Sequence, residues 1–142
     1  MNPRLPALAL LVAAGATIGT AIRATLELEY PAQPGEWPLT TFLINIAGSF
    51  LLGVVLEGLA RSGDDTGWRQ RVRLAVGTGV LGGFTTYSSY IFEIDAMARS
   101  GYLILGASYA LVSVVIGVLA AGAGVALAGA AARHRSTDTG GL

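Results

Sequence analysis

Four long apolar stretches constrain the fold of this chain more than any other feature. They lie near residues 5–22, 40–60, 72–92 and 102–132. At about 1.5 Å of rise per helical residue, each stretch can cross a hydrocarbon core about 30 Å thick. The sequence therefore predicts an all-α membrane protein with four transmembrane helices, the last of which is long enough to tilt or to project past the bilayer.

The composition agrees with a membrane protein. Hydrophobic residues make up 53% of the chain, charged residues 13%, and the mean hydropathy is +0.61, whereas a soluble domain carries charge on about a quarter of its residues. Cysteine is absent and the one histidine lies in a polar tail, which excludes disulfides, thiolate metal sites and the usual histidine metal sites. No Ser-His-Asp arrangement, carboxylate pair at mid-membrane depth or metal cluster occurs, which argues against an enzyme.

The polar segments do not form a second domain. The segment TLELEYPAQPGEWP contains three prolines and is predicted to be a loop, with Trp37 at the membrane interface. Residues 1–132 are predicted to form a single four-helix domain, and residues 133–142 a disordered cytoplasmic tail. The first apolar run imitates a secretory signal peptide, but it continues through Ile22 and three more spans follow, which favours a transmembrane helix.

The positions of the nine arginines, the only basic residues apart from one histidine, indicate the topology. If the amino terminus is cytoplasmic, seven lie on its side of the membrane: Arg4, Arg61, Arg69, Arg71, Arg73, Arg133 and Arg135. Only Arg23 and Arg99 lie on the other side. The positive-inside rule then places both termini in the cytoplasm of a cell membrane. No basic face with interleaved aromatic residues is present, which argues against nucleic-acid binding.

The third stretch carries the most informative motif, in which a group of glycines precedes the segment FTTYSSY. Glycines alone fit a small-residue packing face. They do not explain the hydroxyl and phenol side chains of residues 85–90, which stand where lipid-facing leucines are expected. Glycine weakens a helix, and irregular backbone at mid-membrane depth survives only when buried in protein or lining a wet cavity. The sequence therefore predicts a break in the third helix that exposes carbonyl groups to an ion.

The second and fourth stretches each carry a polar stripe at helical spacing. The stripes are Thr41, Asn45 and Ser49 in the second, and Tyr109, Ser113 and Gly117 in the fourth. Each stripe alone is equally explained by bonds and packing between helices. Three spans that all present hydroxyl, amide or phenol donors fit the needs of a desolvated small anion. Arg23, at the end of the first span, is either an interfacial side chain or an anion attractor at a pore vestibule.

A family resemblance rests on GGFTTYSSY in the third span, Asn45 within TTFLINIAGSFLLG and Arg23 within GTAIRATL. With these motifs the chain resembles the Fluc (CrcB) fluoride channel family from about Leu5 to Gly124. The resemblance implies an antiparallel dimer with two pores, each lined by both subunits. It also implies a central structural Na⁺ that is not transported and is held by the backbone carbonyls of Gly82 and Thr85.

The resemblance also assigns the residues of the pore. The implied fluoride-lining residues are Thr41, Asn45, Tyr87, Ser88, Ser89, Tyr90, Tyr109 and Ser113, with Arg23 at the vestibule. Tyr87 and Tyr90 depart from the pair of phenylalanines usual in the family. A phenylalanine edge holds an anion through the positive rim of its ring. A tyrosine keeps that rim but adds a phenol oxygen that either blocks the ion or bonds it.

The expected function is passive export of cytoplasmic fluoride, which relieves fluoride toxicity without a coupled cycle. One alternative is a small multidrug-type transporter, a four-helix class that exchanges protons at a glutamate in its first helix, but no acidic residue precedes Glu27 here. A second alternative is a non-conducting partner subunit of a channel. The second subunit of the dimer is either another copy of this chain or a paralogue inserted in the opposite orientation.

Overall fold

The structure is a computed structural model that describes residues 4–33 and 35–138, with side chains described for residues 5–33 and 35–133. Within that part, the helices are α1 (Arg4–Glu29), α2 (Leu39–Ser62), α3 (Gly67–Val72), α4 (Gly82–Phe84), α5 (Ser88–Arg99) and α6 (Leu103–Asp138). A π-helical segment, Arg73–Leu81, joins α3 to α4. We refer to residues 67–99 as the third span.

Three helices of the described part are long and apolar enough to cross a membrane in one piece: Leu5–Glu29, Leu39–Ser62 and Leu103–Arg133. The third span supplies the fourth crossing in several pieces, so the predicted all-helical membrane fold is confirmed. With four crossings, the α2–α3 connection lies at the same end of the bundle as the start of α1 and the end of α6. The α1–α2 and α5–α6 connections lie at the opposite end.

The break in the third span falls where the sequence predicted it. Helix α4 ends at Phe84, Thr85 takes an extended conformation (φ −75°, ψ 157°), and α5 begins at Ser88. The preceding residues already depart from α-helix, because Arg73–Leu81 is π-helical. Segments of π-helix are rare and often lie at functional sites. The irregular backbone therefore extends over most of the first half of this span.

Two predicted boundaries are wrong because local interactions extend the helices. Helix α1 runs to Glu29 rather than ending near 22, so the TLELE segment assigned to a loop is helical. Its last turns are stabilised by the i, i+4 ion pair between Arg23 and Glu27 (2.9 Å), and proline does not intervene until Pro31. Helix α5 likewise continues past 92 to Arg99, which pairs with Asp95.

The predicted disordered tail is also corrected in part. Helix α6 continues through Asp138, so residues 133–138 of the predicted tail, residues 133–142, are helical. Neither glycine nor proline occurs between Gly129 and Asp138, and the three alanines at 130–132 have the highest helix propensity. Residues 139–142 lie outside the described residues.

Glycines bring α1 against the third span. A Cβ placed on Gly15 or Gly19 would collide with the backbone of the third span, at Ala75 and Val80 respectively. On the opposing helix, a Cβ at Gly83 would collide with the carbonyl of Ala16. Contacts this close are the means by which helices associate in lipid, where burial of apolar surface provides no driving force.

Helices α2 and α6 pack by the same means. A Cβ at Gly53 would strike the carbonyl of Ala121, and one at Gly124 would strike the carbonyl of Phe50. The bundle is therefore built of two tightly packed helix pairs, α1 with the third span and α2 with α6.

We predict that Gly19→Ala destabilises the protein, whereas Gly58→Ala does not. At Gly19 the added methyl group forces two backbones apart, and overpacking of this kind costs about 1–3 kcal/mol. At Gly58 no atom lies within 4 Å of the added Cβ, so the alanine only improves helix propensity. Thermal unfolding of both variants in the same detergent checks the prediction, and equal midpoints would contradict it.

Candidate functional site

The side-chain amide of Asn45 holds the broken backbone of the third span. Its Nδ2 donates to the carbonyl of Thr86 (2.9 Å), and its Oδ1 accepts from the N–H of Thr86 (2.8 Å). One residue of α2 thus satisfies both backbone groups of Thr86 at a depth where water cannot do so. The second hydrogen of the Asn45 amide remains to donate to a ligand.

The break frees two carbonyls of their ordinary helical donors. In a continuous helix the N–H of Thr86 would donate to Gly82, but it donates to Asn45. Similarly the N–H of Ser89 would donate to Thr85, but it donates to Oγ1 of Thr86 (3.1 Å). The carbonyls of Gly82 and Thr85 therefore lack the hydrogen bonds that the N–H groups of Thr86 and Ser89 would donate to them in a continuous helix.

The neighbouring carbonyl of Gly83 is occupied by α1. It accepts from Nε of Arg23 (3.3 Å) and from the hydroxyl of Thr20 (3.4 Å). Because Arg23 also pairs with Glu27 at 2.9 Å, its charge is largely neutralised. The family resemblance implies a place for Arg23 at a pore vestibule, and in the structure its contacts hold the end of α4 against α1.

An uncharged cavity of about 360 Å³ lies beside the break. Gly82 and Thr85, the predicted Na⁺ ligands, line it together with four of the predicted fluoride-lining residues and two further residues that carry hydroxyl groups. The predicted residues are Asn45, Tyr87, Tyr90 and Ser113, and the additional ones are Ser49 and Thr86. The Oγ of Ser113 is buried and has no hydrogen-bond partner among the described residues. A buried hydroxyl in this state is costly unless a ligand or water binds it.

The remaining hydroxyl residues lie toward a second cavity, of about 590 Å³. Thr41, Ser88 and Ser89 line it, together with the carboxylates of Glu27 and Glu93. Ser89 accepts a hydrogen bond from Thr86 (3.2 Å), which leaves its own proton free to donate. The predicted fluoride-lining residues are thus divided between two cavities, except for Tyr109, which lines neither of them.

Glu93 is the site residue that the sequence analysis missed. It accepts a hydrogen bond from Thr41 (2.5 Å) and another from the phenol of Tyr109 (2.8 Å). It lies just past the predicted end of the third span at 92 and was therefore assigned to a loop. The signal that could have found it is its spacing, because Glu93 lies four residues after Ser89 and thus on the same helix face.

The two tyrosines of the aromatic pair have different surroundings. Their ring centroids lie 6.0 Å apart. The hydroxyl of Tyr90 donates to the carbonyl of Ala110 on α6 (2.8 Å), whereas Tyr87 is 76% exposed and makes no such bond in the described structure. Tyr90 also packs against Tyr109, at 5.4 Å between centroids. The phenol of Tyr90 is thus engaged in a structural bond, and that of Tyr87 is free.

This arrangement can solvate a small anion. Amide and hydroxyl protons replace water as donors, and the lining of the first cavity contains no carboxylate that would repel negative charge. In the described part of the chain, no group of three or more His, Cys, Asp or Glu side chains could hold a metal ion. A cation here would have to bind backbone carbonyls.

Comparisons with known proteins identify relatives over most of the chain. Residues 10–125 match the family described as CrcB-like protein, Camphor Resistance (CrcB). A fluoride-specific ion channel FluC 1 of Cutibacterium acnes is 42% identical over 118 residues, covering 83% of this chain and 82% of the relative. A FluC 2 of Leifsonia xyli is 44% identical, with 91% and 88% covered. A FluC of Chlorobium luteolum is also 44% identical, with 88% and 95% covered.

We predict that Asn45→Leu lowers stability far more than Ser49→Ala. Leucine removes both hydrogen bonds to Thr86 and leaves its buried backbone groups unpaired, at a cost of about 2–3 kcal/mol. Ser49 lies one turn along α2 in the same cavity and makes no hydrogen bond within the described structure, so it is a matched control. Thermal unfolding in detergent measures both, and similar losses would show that Asn45 does not hold the break.

Proposed function

Since this chain belongs to the CrcB family, we propose that it forms a fluoride-selective channel through which cytoplasmic fluoride leaves the cell passively. It is a multi-pass membrane protein, and its relatives bear the name of an ion channel rather than of an enzyme. Export down the electrochemical gradient lowers cytoplasmic fluoride and thereby its toxicity.

The observation that carries this proposal is the uncharged cavity beside the break in the third span. Fluoride is small and strongly hydrated, so it enters a membrane only where protein donors replace its water. The amide of Asn45 and the unpartnered hydroxyl of Ser113 line this cavity. The free phenol of Tyr87 lines it as well. Since these donors line one cavity, we propose that the ion passes from one to the next without a coupled conformational cycle.

Beyond Thr86 the ion meets the second cavity. The protons of Thr41 and Tyr109 are already donated to Glu93, so these two residues are not free to bind an anion. The hydroxyl of Ser89 is the donor that remains on this side, because Thr86 donates its one hydroxyl proton to Ser89 and therefore accepts from Ser88 (3.2 Å). We therefore assign Ser89 to the conduction path, Ser88 to the support of Thr86, and Thr41 and Tyr109 to the support of Glu93.

Efflux of fluoride from proteoliposomes, followed with a fluoride electrode, tests the channel and its site together. We predict that the wild-type chain, reconstituted together with the second subunit of its dimer, releases fluoride and that Asn45→Asp in this chain abolishes release. The carboxylate cannot donate to the Thr86 carbonyl and repels an anion in a medium of low dielectric. Ser49→Ala is the control and should release fluoride. Undiminished efflux from folded Asn45→Asp protein would exclude Asn45 from the path, and no efflux from the wild-type chain together with its second subunit would refute the channel.

We further propose that the carbonyls of Gly82 and Thr85 bind a structural Na⁺. The support is the loss of their helical donors to Asn45 and to Oγ1 of Thr86. Neutral carbonyl oxygens are suitable ligands for a hard monovalent cation. Bound there, the ion would supply fixed positive charge beside the cavity and tie the two halves of the third span together.

Thermal unfolding in solutions of different cations tests the Na⁺ proposal independently of conduction. We predict a higher unfolding midpoint in sodium chloride than in N-methylglucamine chloride of equal ionic strength, because a ligand that binds only the folded state stabilises it. The same midpoint in both salts would contradict the proposal without affecting the proposed channel.

We propose that the channel is an antiparallel dimer with both termini of this chain in the cytoplasm. In the third span, Thr78, Gly82, Tyr87 and Ser88 are exposed, although polar groups at membrane depth do not face lipid. A second subunit against this face would cover them. An antiparallel homodimer requires one sequence to insert in both orientations, but the seven-to-two arginine bias favours one orientation. The partner is therefore a paralogue with the opposite bias.

Carboxy-terminal reporter fusions, one active in the cytoplasm and one outside, test the orientation. Expressed without a partner, this chain should give a cytoplasmic signal almost exclusively and should not restore fluoride resistance. Comparable signals from both reporters, with resistance restored, would instead support a homodimer.

A further inference from the structure

Helix α3, which follows the α2–α3 connection, carries two arginines without salt bridges in the described structure. Of the arginines at this end, Arg61 pairs with Glu57, and Arg73 pairs with Asp65 at 2.7 Å. Among the described side chains, neither Arg69 nor Arg71 forms a salt bridge. In this they differ from four other arginines of the described part, each of which forms a salt bridge with a single carboxylate.

The guanidinium of Arg69 is held in place by neutral groups. It lies over the ring of Trp68, 5.2 Å from the centroid, and its Nε donates to the hydroxyl of Ser62 (3.0 Å). Gly63 has a φ of +126°, and its missing Cβ would lie only 3.0 Å from the guanidinium carbon. Trp68, Ser62 and Gly63 thus hold the guanidinium in place, while the N–H groups of its two terminal nitrogens form no hydrogen bond in the described structure. A planar pair of donors of this kind matches the oxygens of a phosphate.

The position of this site is at the membrane surface. The connection joins the end of α2 to the start of the third span, and Trp68 is 57% exposed. Tryptophan favours the boundary between hydrocarbon and water. A cleft of about 150 Å³ lies here, with Leu56, Leu59 and Ala60 as apolar lining and the side chains of Arg69, Arg73 and Asp65 at its polar side.

We propose that Arg69, assisted by Arg71, binds the phosphate of an anionic phospholipid headgroup. The Asp65 carboxylate that shares the cleft is already paired with Arg73, which leaves the terminal nitrogens of Arg69 without a salt bridge, and Arg71 is exposed nearby. The apolar lining of the cleft and the exposed Trp68 favour a lipid over a soluble phosphate, because both contact acyl chain more favourably than water. An anionic leaflet attracts basic residues near its surface. The site therefore anchors this end of the chain to such a leaflet, whether or not the protein conducts.

Fluorescence quenching by brominated lipid tests the proposal directly, since Trp68 is one of two tryptophans. The protein is reconstituted in equal mixtures of phosphatidylglycerol and phosphatidylcholine, with bromine first on one lipid and then on the other. The Trp68→Phe variant gives the contribution of Trp37, which is subtracted. Arg69→Gln removes the proposed ligand, and Arg69→Lys keeps the charge but not the planar donors. Arg99→Gln, at the opposite end of the bundle, is the control.

We expect brominated phosphatidylglycerol to quench Trp68 with about a fivefold preference over brominated phosphatidylcholine, the effect of one guanidinium at an anionic surface. Arg69→Gln should abolish the preference, Arg69→Lys should reduce it, and Arg99→Gln should leave it unchanged. Equal quenching by the two lipids, or a preference that survives Arg69→Gln, would overturn the proposal. Loss of the preference on adding inorganic phosphate at constant ionic strength would also overturn it, because the site would then bind soluble phosphate.

Discussion

The bond between the Asn45 amide and the backbone of Thr86 is the interaction on which the rest of the site depends. A helix that breaks inside a membrane leaves polar backbone groups with no water to bind. Here one side chain supplies both a donor and an acceptor to the same residue. Because it takes the N–H of Thr86, it also frees the carbonyl of Gly82. The helix break, the freed carbonyls and the cavity beside them thus share one cause.

Close packing by glycine makes that interaction possible. A Cβ at Gly48 would meet the side chain of Thr85, so the absence of a side chain at Gly48 allows α2 to approach the break. On the other side, Gly19 and Gly83 bring α1 near enough for Arg23 to reach the carbonyl of Gly83. The glycines therefore do more than hold helices together, because they set the distances at which polar side chains reach irregular backbone.

The proposed path divides the polar groups by whether their protons are free. Asn45, Ser113 and Tyr87 keep donors available beside the first cavity. Thr41 and Tyr109 donate their hydroxyl protons to Glu93, and Tyr90 donates its proton to the carbonyl of Ala110. Residues that look equivalent in a list of hydroxyl groups thus differ in function. Free donors also distinguish Arg69, the proposed phospholipid ligand, from its neighbours Arg61 and Arg73. Each of those two arginines is paired with a carboxylate, whereas Arg69 forms no salt bridge in the described structure.

The sequence by itself determined the membrane class, the four crossings and a break in the third helix, because hydropathy and glycine content act locally along the chain. It also determined that hydroxyl and amide donors lie on three spans. Only the tertiary structure decided which donors are free, since that depends on partners distant in sequence, such as Asn45 for Thr86 and Glu93 for Thr41. It also placed Arg23 against a carbonyl and Glu93 inside the bundle. The sequence did not predict the helix ends at Glu29 and Asp138. Side-chain pairing and alanine propensity extend these helices past the ends of their apolar runs.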